Sequence, residues 1–381
     1  MDYALFGENS SGRFVPTIHN VRAFVPSPLP PSIDFAALFH SFGQAMAGIG
    51  ALNAKIAQLK NPNLVIRPLQ RREALQSSAM EGTFTTHDEL ALLEAGAEQN
   101  AKADTREVLN YVTALTHAVS LMDSLPVCHR LICETHAKLL SGLPSGRGGN
   151  KQPGEYKQDQ NWIGGSKIET ARFVPAPPVE TRVAMDQLEA FINRPETSSI
   201  PPLLEAALVH YQFETIHPFA DGNGRVGRIL TPLVLLSRGT ITTPAFYPSA
   251  TMEERKDEYI DLMFGVSSKG SWTAWLRFFL EICWDTCLST VKVVDHIADL
   301  QSDYRQRAMD AFRSNNVLIL IDQLFVAPIV SAPMVQDLLK VTHRAARMTI
   351  ANLEQIGILE KVPGLSMPEF FAARGILRAG A

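Results

Sequence analysis

The clearest pattern near the start of the chain is a run of apolar residues spaced three and four positions apart. It begins just after Asp34 and stops before Pro62. Residues with this spacing lie on one face of an α-helix, where they pack against a core while the opposite face stays in water. The pattern predicts a long amphipathic helix whose apolar stripe is Phe35, Leu38, Phe42, Met46, Ile49, Leu52, Ile56 and Leu59.

The same periodicity continues along most of the chain. Proline, glycine, asparagine and threonine interrupt it where helices are expected to end. The proline-rich N-terminal segment, up to about residue 31, instead predicts an extended strap. The predicted fold class is all-α, with helices at about 68–81, 87–97, 104–122, 127–141, 179–193, 203–216, 225–238, 252–267 and 271–313.

The C-terminal part has a different order of elements. After a helix that starts near Val317, a second helix is expected at about 332–340. A third helix, capped by Thr342, is expected to end at about 356, and a strand follows at 358–362. Helix, turn, helix and strand in this order are typical of a winged-helix module. The predicted domains are an N-terminal strap and helical region, a central core and a winged-helix module, at 1–105, 106–300 and 301–381.

Composition and charge narrow the classes of function. The chain has 381 residues, 46% of them hydrophobic, enough to bury a sizeable core. Its 35 Lys and Arg against 39 Asp and Glu give a net charge of −4, so no overall field attracts nucleic acid or an anionic membrane. No apolar run approaches the roughly 20 residues that cross a bilayer. The N-terminus lacks the features of a secretory signal, and we expect a cytoplasmic protein.

The most informative segment is the twelve residues from His217 to Arg228, His-Pro-Phe-Ala-Asp-Gly-Asn-Gly-Arg-Val-Gly-Arg. Pro218 disfavours helical geometry at His217, so the imidazole is expected at the end of the preceding helix. Gly222 and Gly224 allow the backbone to turn so that successive N–H groups converge on an anion. The segment therefore predicts a histidine beside an anion site.

The charged residues of this segment indicate that the anion is a phosphate. Arg225 and Arg228 are three positions apart at the start of the next helix, where the helix dipole also favours negative charge. Asn223 adds a neutral donor. Asp221 would repel a phosphate unless a divalent cation lay between them, which is how Mg²⁺ is usually held beside phosphates.

These residues resemble the core motif of the Fic (filamentation induced by cAMP) family, His-x-Phe-x-(Asp or Glu)-Gly-Asn-Gly-Arg-x-x-Arg, and match it at every specified position. The resemblance implies a Fic-type helical core and the transfer of AMP from ATP to a hydroxyl side chain of a target protein. It implies that His217 is the general base, Asp221 the Mg²⁺ ligand and Arg228 the clamp for the terminal phosphate. The implied phosphate nest and second clamp are Gly222, Asn223, Gly224 and Arg225.

A second segment, Ser-Ser-Ala-Met-Glu-Gly from Ser77 to Gly82, is similar to the family's inhibitory motif, (Ser or Thr)-x-x-x-Glu-(Gly or Asn). Its position before the core resembles the N-terminally self-inhibited class. The carboxylate of Glu81 can pair with Arg228 and occupy the place of the ATP γ-phosphate. The resemblance implies that Glu81 can also support removal of AMP from a modified target. The residues that it implies form the brake are Ser77, Glu81, Gly82 and Arg228.

Two further features extend the resemblance. The stretch around 154–165 resembles the family's flap, a short β-hairpin whose edge can hold a target segment by main-chain pairing. Tyr259 is similar to a residue of the helix that lines the adenine pocket, and it is expected to contact the base. The residues expected to form the target-docking flap are Asn161, Trp162, Ile163, Gly164 and Gly165.

A metal-hydrolase function is a competing hypothesis. His210, Glu214, His217 and Asp221 fall at intervals that would place metal ligands on one face of a helix. Pro218 breaks that face, so this hypothesis is the weaker one.

A DNA-binding winged-helix regulator with an attached nucleotide-binding domain is the second alternative. On the expected recognition helix, Thr342, His343, Arg344 and Arg347 are able to contact DNA. Because few basic residues lie there and the chain is acidic overall, protein docking or a homodimer is favoured over DNA.

Overall fold

The structure is a computed structural model that describes residues 1–98, 101–144, 149, 151–195, 200–365 and 368–380. Most of these residues are helical, which confirms the fold class predicted from the periodicity. The helices are α1 (Phe39–Ala57), α2 (Asn63–Met80), α3 (His87–Glu94), α4 (Ala103–Leu121), α5 (His129–Leu140), α6 (Pro178–Ile192), α7 (Pro202–Ile216), α8 (Asn223–Ser237), α9 (Ser249–Glu254), α10 (Lys256–Lys269), α11 (Trp272–Ala311), α12 (Asn315–Val326), α13 (Ala332–Leu339), α14 (His343–Gln355) and α15 (Arg374–Ala379).

Two helix predictions need correction. α2 begins at Asn63, not near 68, because Pro68 lies inside the helix and does not start it. The single helix expected at 252–267 is two helices, α9 and α10, which meet at Arg255, whose backbone (φ −119°, ψ 32°) is not helical. Neither the tolerated proline nor the break is visible in the spacing of apolar residues.

The N-terminal strap is a β-hairpin, a pairing that the proline content did not predict. Strand β1 (Gly12–Pro16) pairs antiparallel with β2 (Arg22–Pro26), and His19 and Asn20 adopt positive φ in the turn between them. Phe24 is fully buried, and its N–H donates to the carbonyl oxygen of Val174 at 2.8 Å. The hairpin thus packs against the chain that leads from the flap region into α6.

α7 lies at the centre of the molecule. Every residue from Leu203 to Ile216 is buried. α7 packs against α6, α8 and α11, so it is covered on several sides, as expected for a helix that is apolar nearly all round. Because it is fixed on all faces, its C-terminal end is a rigid platform for the residues that follow it.

α2 is held by polar contacts from several neighbouring elements. The buried carboxylate of Glu73 accepts hydrogen bonds from Tyr111 on α4 at 2.8 Å and from the Ser249 hydroxyl on α9 at 2.5 Å. Arg71 donates to Glu94 and to the carbonyl oxygen of Val326 at the end of α12. These contacts fix α2 against both the core and the C-terminal part of the chain.

The C-terminal elements follow the order helix, strand, helix, helix and two strands. Strands β3 (Ile329–Ser331), β4 (Glu360–Lys361) and β5 (Phe370–Ala372) form an antiparallel sheet in the order β3-β5-β4. β3, β5 and α15 were not predicted from the sequence. α11 continues without interruption past residue 300, where the sequence analysis placed a boundary, and the three-domain division stays a prediction.

The contacts of Glu73 generate a stability prediction. Glu73→Ala should lower the free energy of unfolding by about 1–3 kcal/mol, because it leaves the buried hydroxyls of Tyr111 and Ser249 without their acceptor. Urea denaturation followed by circular dichroism measures the change. Glu254→Ala, at an exposed position at the end of α9, should shift the free energy of unfolding by no more than about 0.5 kcal/mol. Equal stability of the two variants would contradict the anchoring role of Glu73.

Candidate active site

His217 lies directly after α7 in a left-handed backbone conformation (φ 51°, ψ 60°). Its N–H donates to the carbonyl oxygen of Phe213, which completes the last turn of the helix. The ring Nδ1 is 3.2 Å from the carbonyl oxygen of Glu214. A carbonyl oxygen only accepts hydrogen bonds, so Nδ1 carries the proton and Nε2 keeps a lone pair. The imidazole lines two adjoining cavities.

The surroundings of His217 favour its neutral form. Burial lowers the pKa of the imidazole, and the nearby charge of Lys157 lowers it further. The hydrogen bond to Glu214 and the charge of Glu81 act in the opposite direction, and the resulting pKa is about 4. The ring is therefore uncharged near neutral pH, as a general base must be.

The loop after His217 is shaped by the side chain of Asn223. Its Oδ1 accepts from the N–H of Phe219 at 2.7 Å, and its Nδ2 donates to the carbonyl oxygen of Phe219 at 2.8 Å. The Asn223 side chain thus stabilises the loop, in addition to any contact with a nucleotide. Gly222 precedes α8 with φ +77°, and the first N–H groups of α8 have no partner within the helix. This is the geometry expected of an anion nest.

Arg228 brings the two predicted motifs together. Its guanidinium is 3% exposed, and its Nε and Nη2 donate to the hydroxyl and the carbonyl oxygen of Ser77, at 2.7 and 2.9 Å. Nη2 also donates to Glu81 Oε1 at 2.7 Å. Burial alone would lower the pKa of Arg228, but Glu81 and Glu214 raise it above its ordinary value. The guanidinium is therefore charged and tied to the C-terminal end of α2.

The Glu81 carboxylate is ionised in this pair and 40% exposed. Burial would raise its pKa, but the charge and hydrogen bond of Arg228 hold it below the ordinary value. Gly82, at φ +79°, ends α2 directly after it. A Cβ at Gly224 would lie 2.3 Å from Glu81 Oε1, so this approach of Glu81 to α8 requires glycine. The four residues of the expected brake lie in one cluster.

Arg225 and Asp221 lie on the other side of the nest. Arg225 is buried and forms an ion pair with Glu107 on α4, and its Nη2 is 3.7 Å from Asp221 Oδ1. The Asp221 side chain is 43% exposed, and its Oδ1 accepts from the N–H of Gly222 at 2.6 Å. Arg225 is thus held by Glu107 in this structure, a partner that the sequence did not reveal.

Two cavities meet at Glu81, His217 and Gly224. One, of about 410 Å³, is lined by the nest residues Asp221 to Arg225. The other, of about 220 Å³, is bounded by α7, α8, α10 and residues next to the flap, with apolar walls that include Phe173 and Phe264. Tyr259 lines this second cavity, and its hydroxyl is 2.9 Å from His210 Nε2. A polar and an apolar cavity side by side suit the phosphates and the base of a nucleotide.

The flap differs from the expected hairpin. Ile163 forms an isolated antiparallel bridge with Phe173, with N–H···O distances of 2.8 and 3.0 Å, so the pairing partner lies outside 161–165. The N–H of Arg172 donates to the carbonyl oxygen of Gly164. Trp162 is 38% exposed, and its indole donates to the carbonyl oxygen of Gly165 at 3.3 Å. The pairing thus joins 163–164 to 172–173, so the connecting segment, residues 165–171, is longer than the turn of a short hairpin.

His136 is a supporting residue that the sequence did not single out. Its ring stacks on Phe219 with centroids 3.8 Å apart. Nδ1 accepts from the N–H of Gly154 at 2.9 Å, so Nε2 is the donor to the carbonyl oxygen of Asp221 at 3.0 Å. Burial lowers its pKa to about 4, which keeps this tautomer neutral. No spacing rule connects a histidine on α5 with this loop.

The metal-ligand hypothesis receives no support from the structure. Among the described residues no three His, Cys, Asp or Glu side chains are grouped so as to hold a metal ion. His210 instead contacts Thr231 and Tyr259, and burial raises the pKa of Glu214 to about 7. The physical reason is that α7 ends at Ile216, so Asp221 does not share its face.

Two protein-family models match the segments that contain this candidate site. A model of the Fic/DOC family N-terminal region matches residues 39–120, and a model of the Fic/DOC family matches residues 126–235. Together the two segments span half of the chain and include both motifs that meet at Arg228. The chain belongs to the Fic/DOC family, which confirms the resemblance found in the motif.

Similar curated proteins carry the name protein adenylyltransferase Fic. The protein from Drosophila willistoni is 26% identical over 244 residues, which are 62% of this chain and 45% of that relative. The protein from Drosophila virilis is 27% identical over 209 residues, which are 54% of this chain and 39% of that relative. The chain spans less than half of the length of either relative.

Solved structures show the same fold. A Fic family protein from Desulfovibrio desulfuricans G20 superimposes with a TM-score of 0.56 at 20% identity, covering 91% of this chain and 98% of that one. Fic-1 from C. elegans superimposes with a TM-score of 0.51 at 17% identity, covering 68% and 74% of the two chains. The helical core of this chain is therefore a Fic fold.

The state of His217 can be checked by NMR of the unmodified protein. The ring should show the Nδ1–H tautomer and stay neutral as the pH falls to about 5, because burial and Lys157 disfavour the charged form. Histidine side-chain ¹H–¹⁵N spectra over a pH series measure both, with His217→Ala providing the assignment. A midpoint near the ordinary value of 6.5 would contradict this description of the site.

Proposed function

We propose that this chain is a nucleotidyltransferase, a protein adenylyltransferase that moves AMP from ATP to a Ser, Thr or Tyr hydroxyl of a target protein. The proposal is supported above all by the contact between Arg228 and Glu81 in the cavity of about 220 Å³, which the neutral imidazole of His217 also lines. The names of the Drosophila relatives point to the same activity. Since the chain covers under half of those relatives, the activity of the whole protein is a proposal.

His217 acts as the general base in this reaction. Nε2 takes the proton of the attacking hydroxyl as the oxygen bonds to the α-phosphorus of ATP, and pyrophosphate leaves. The N–H groups after Gly222 hold the phosphate oxygens, and Arg225 lies at the same wall of the cavity. Tyr259 and its apolar neighbours take the adenine. The enzyme mainly positions the reactants and stabilises the charge that moves to the leaving group.

Mg²⁺ is the cofactor that fits this arrangement. It typically binds one or two carboxylates together with substrate phosphates and waters, and it does not need a cage of protein ligands. The half-exposed carboxylate of Asp221 at the edge of the nest meets that description. Bound there, the ion would neutralise phosphate charge.

Glu81 is the brake on transfer. Its carboxylate occupies the position on Arg228 that a terminal phosphate would take, and two anions cannot share one guanidinium edge without repulsion. ATP is therefore excluded or bound unproductively while the pair is intact. The same carboxylate, next to His217, can orient a water molecule, so removal of AMP from a modified target is a second activity of the site.

The flap is the proposed docking edge for the target. A target segment can pair with the main chain at 161–165, which presents its hydroxyl without requiring one sequence. Asn161 contributes indirectly, because its side chain donates to the carbonyl oxygens of His217 and Phe219.

We propose that the C-terminal elements form a winged helix that docks protein or a second copy of the chain. The DNA-binding alternative is not favoured, because Glu369 pairs with both Arg347 and Lys361 on the surface that would face a groove. No described helix has the length and apolar character needed to cross a bilayer. A cytoplasmic location is part of this proposal.

Isotope labelling tests the activity and the brake together. Glu81→Gly should raise self-labelling from ATP labelled at the α-phosphate by about tenfold or more, since the γ-phosphate gains access to Arg228. Adding His217→Ala to that variant should lower labelling by about 10²-fold or more. Denaturing gels report both. Label from γ-labelled ATP only would indicate a kinase-like reaction, and equal labelling of wild type and Glu81→Gly would contradict the brake.

The role of the metal has its own test. In the Glu81→Gly background, excess EDTA or Asp221→Ala should reduce AMP transfer on the order of 100-fold, because the phosphates lose a neutralising cation. Asp123→Ala, at an exposed position outside the two cavities, serves as the matched control and should transfer AMP at the parent rate. Transfer that survives EDTA unchanged would exclude the Mg²⁺ assignment.

A further inference from the structure

Lys157 is a buried lysine beside the catalytic loop. Its Nζ lies 2.8 Å from Asn161 Oδ1, 2.9 Å from the carbonyl oxygen of His217 and 3.3 Å from that of Ile216. These are three acceptors, and an ammonium has three N–H donors whereas a neutral amine has two. The geometry therefore requires the charged form, even though burial lowers the pKa of Lys157 well below its ordinary value.

The contacts of Lys157 and Asn161 cover consecutive carbonyl groups of the loop. The backbone N–H of Lys157 donates to the carbonyl oxygen of Pro218 at 2.9 Å. The Asn161 amide donates to the carbonyl oxygens of His217 and Phe219, at 3.2 and 2.9 Å. Together the two residues engage every carbonyl from Ile216 to Phe219.

This support is placed where the backbone is strained. His217 has a positive φ of 51°, a conformation that residues other than glycine rarely adopt and that persists only when the surroundings hold it. The last carbonyl groups of α7 also lack partners within the helix and carry partial negative charge. The ammonium of Lys157 donates hydrogen bonds to two of these carbonyl oxygens, those of Ile216 and His217.

We propose that Lys157 is a positioning residue for AMP transfer, which holds the left-handed backbone of His217 by hydrogen bonds to its carbonyl oxygen and to that of Ile216. The imidazole is thereby kept directed into the cavity, with Nε2 toward the incoming hydroxyl. This inference rests on the proposed function of His217 as general base. It concerns a residue of the flap segment that does not itself touch substrate.

The charge of Lys157 has a second consequence at the same imidazole. Among the described residues, the charged side chains that act on the pKa of His217 are Lys157 from the flap segment and Glu81 from the end of α2, while Glu214 on α7 and Arg228 on α8 line the same cavity. Lys157 disfavours the imidazolium and Glu81 favours it. Without the lysine charge the pKa of His217 rises, so the fraction of neutral base falls at mildly acidic pH. A residue with a merely structural role would not move this midpoint.

Kinetics in the Glu81→Gly background test the proposal. Lys157→Met should lower kcat for AMP transfer by about 10- to 100-fold with little change in KM for ATP, because the base is misplaced while the nucleotide site is intact. The acidic limb of the pH–rate profile should move to higher pH. Lys157→Arg restores the positive charge and should return the acidic limb toward the pH at which it lies in the parent Glu81→Gly protein. Lys292→Met, at an exposed lysine on α11, should match the parent in both measurements.

NMR separates this inference from the proposed function. The His217 titration midpoint should rise in Lys157→Met whether or not the chain transfers AMP. If the Lys157→Met variant does not fold, Lys157→Gln is used in its place. An unchanged midpoint together with an unchanged kcat would overturn the role of Lys157. Absence of labelling in every variant, with the midpoint shifted as expected, would reject the proposed reaction and leave the positioning of His217 supported.

Discussion

The buried guanidinium of Arg228 is the constraint on which the site depends. A charge that is 3% exposed must be compensated by hydrogen bonds, and in this structure Ser77 and Glu81 supply them from α2. The end of α2 is therefore joined to the start of α8 by a charge-assisted contact. Because the N–H groups of the proposed nest also lie at the start of α8, we expect a change of partner at Arg228 to alter access to them.

The proposed brake requires that α2 stay fixed against α8. Glu73, Arg71 and the cap that Lys256 places on the carbonyl oxygen of Met80, at 2.6 Å, fix α2 along its length. On the other side, α7 fixes His217, and Lys157 and Asn161 hold the loop that follows. The proposed base and the proposed anion nest are thus each held by packed elements, and the half-exposed Glu81 carboxylate lies between them.

The sequence placed the candidate site residues in two motifs that meet in the fold, but it did not reveal the side chains that hold them. The motif from His217 to Arg228 and the position of Glu81 followed from spacing and resemblance, and helix periodicity located most helices. Lys157, His136 and Glu107 were not found, because their roles depend on distant segments meeting in the folded chain. The N-terminal hairpin and the Ile163–Phe173 bridge were missed for the same reason, since pairing partners leave no local signal.

The most direct test of this account is a crystal structure of the Glu81→Gly variant with Mg²⁺ and an ATP analogue that cannot be cleaved between the α- and β-phosphates. The account predicts that the γ-phosphate binds Arg228 where the Glu81 carboxylate now lies, with the α-phosphate facing His217 Nε2. A γ-phosphate bound elsewhere, with Arg228 still contacting Ser77 alone, would contradict it.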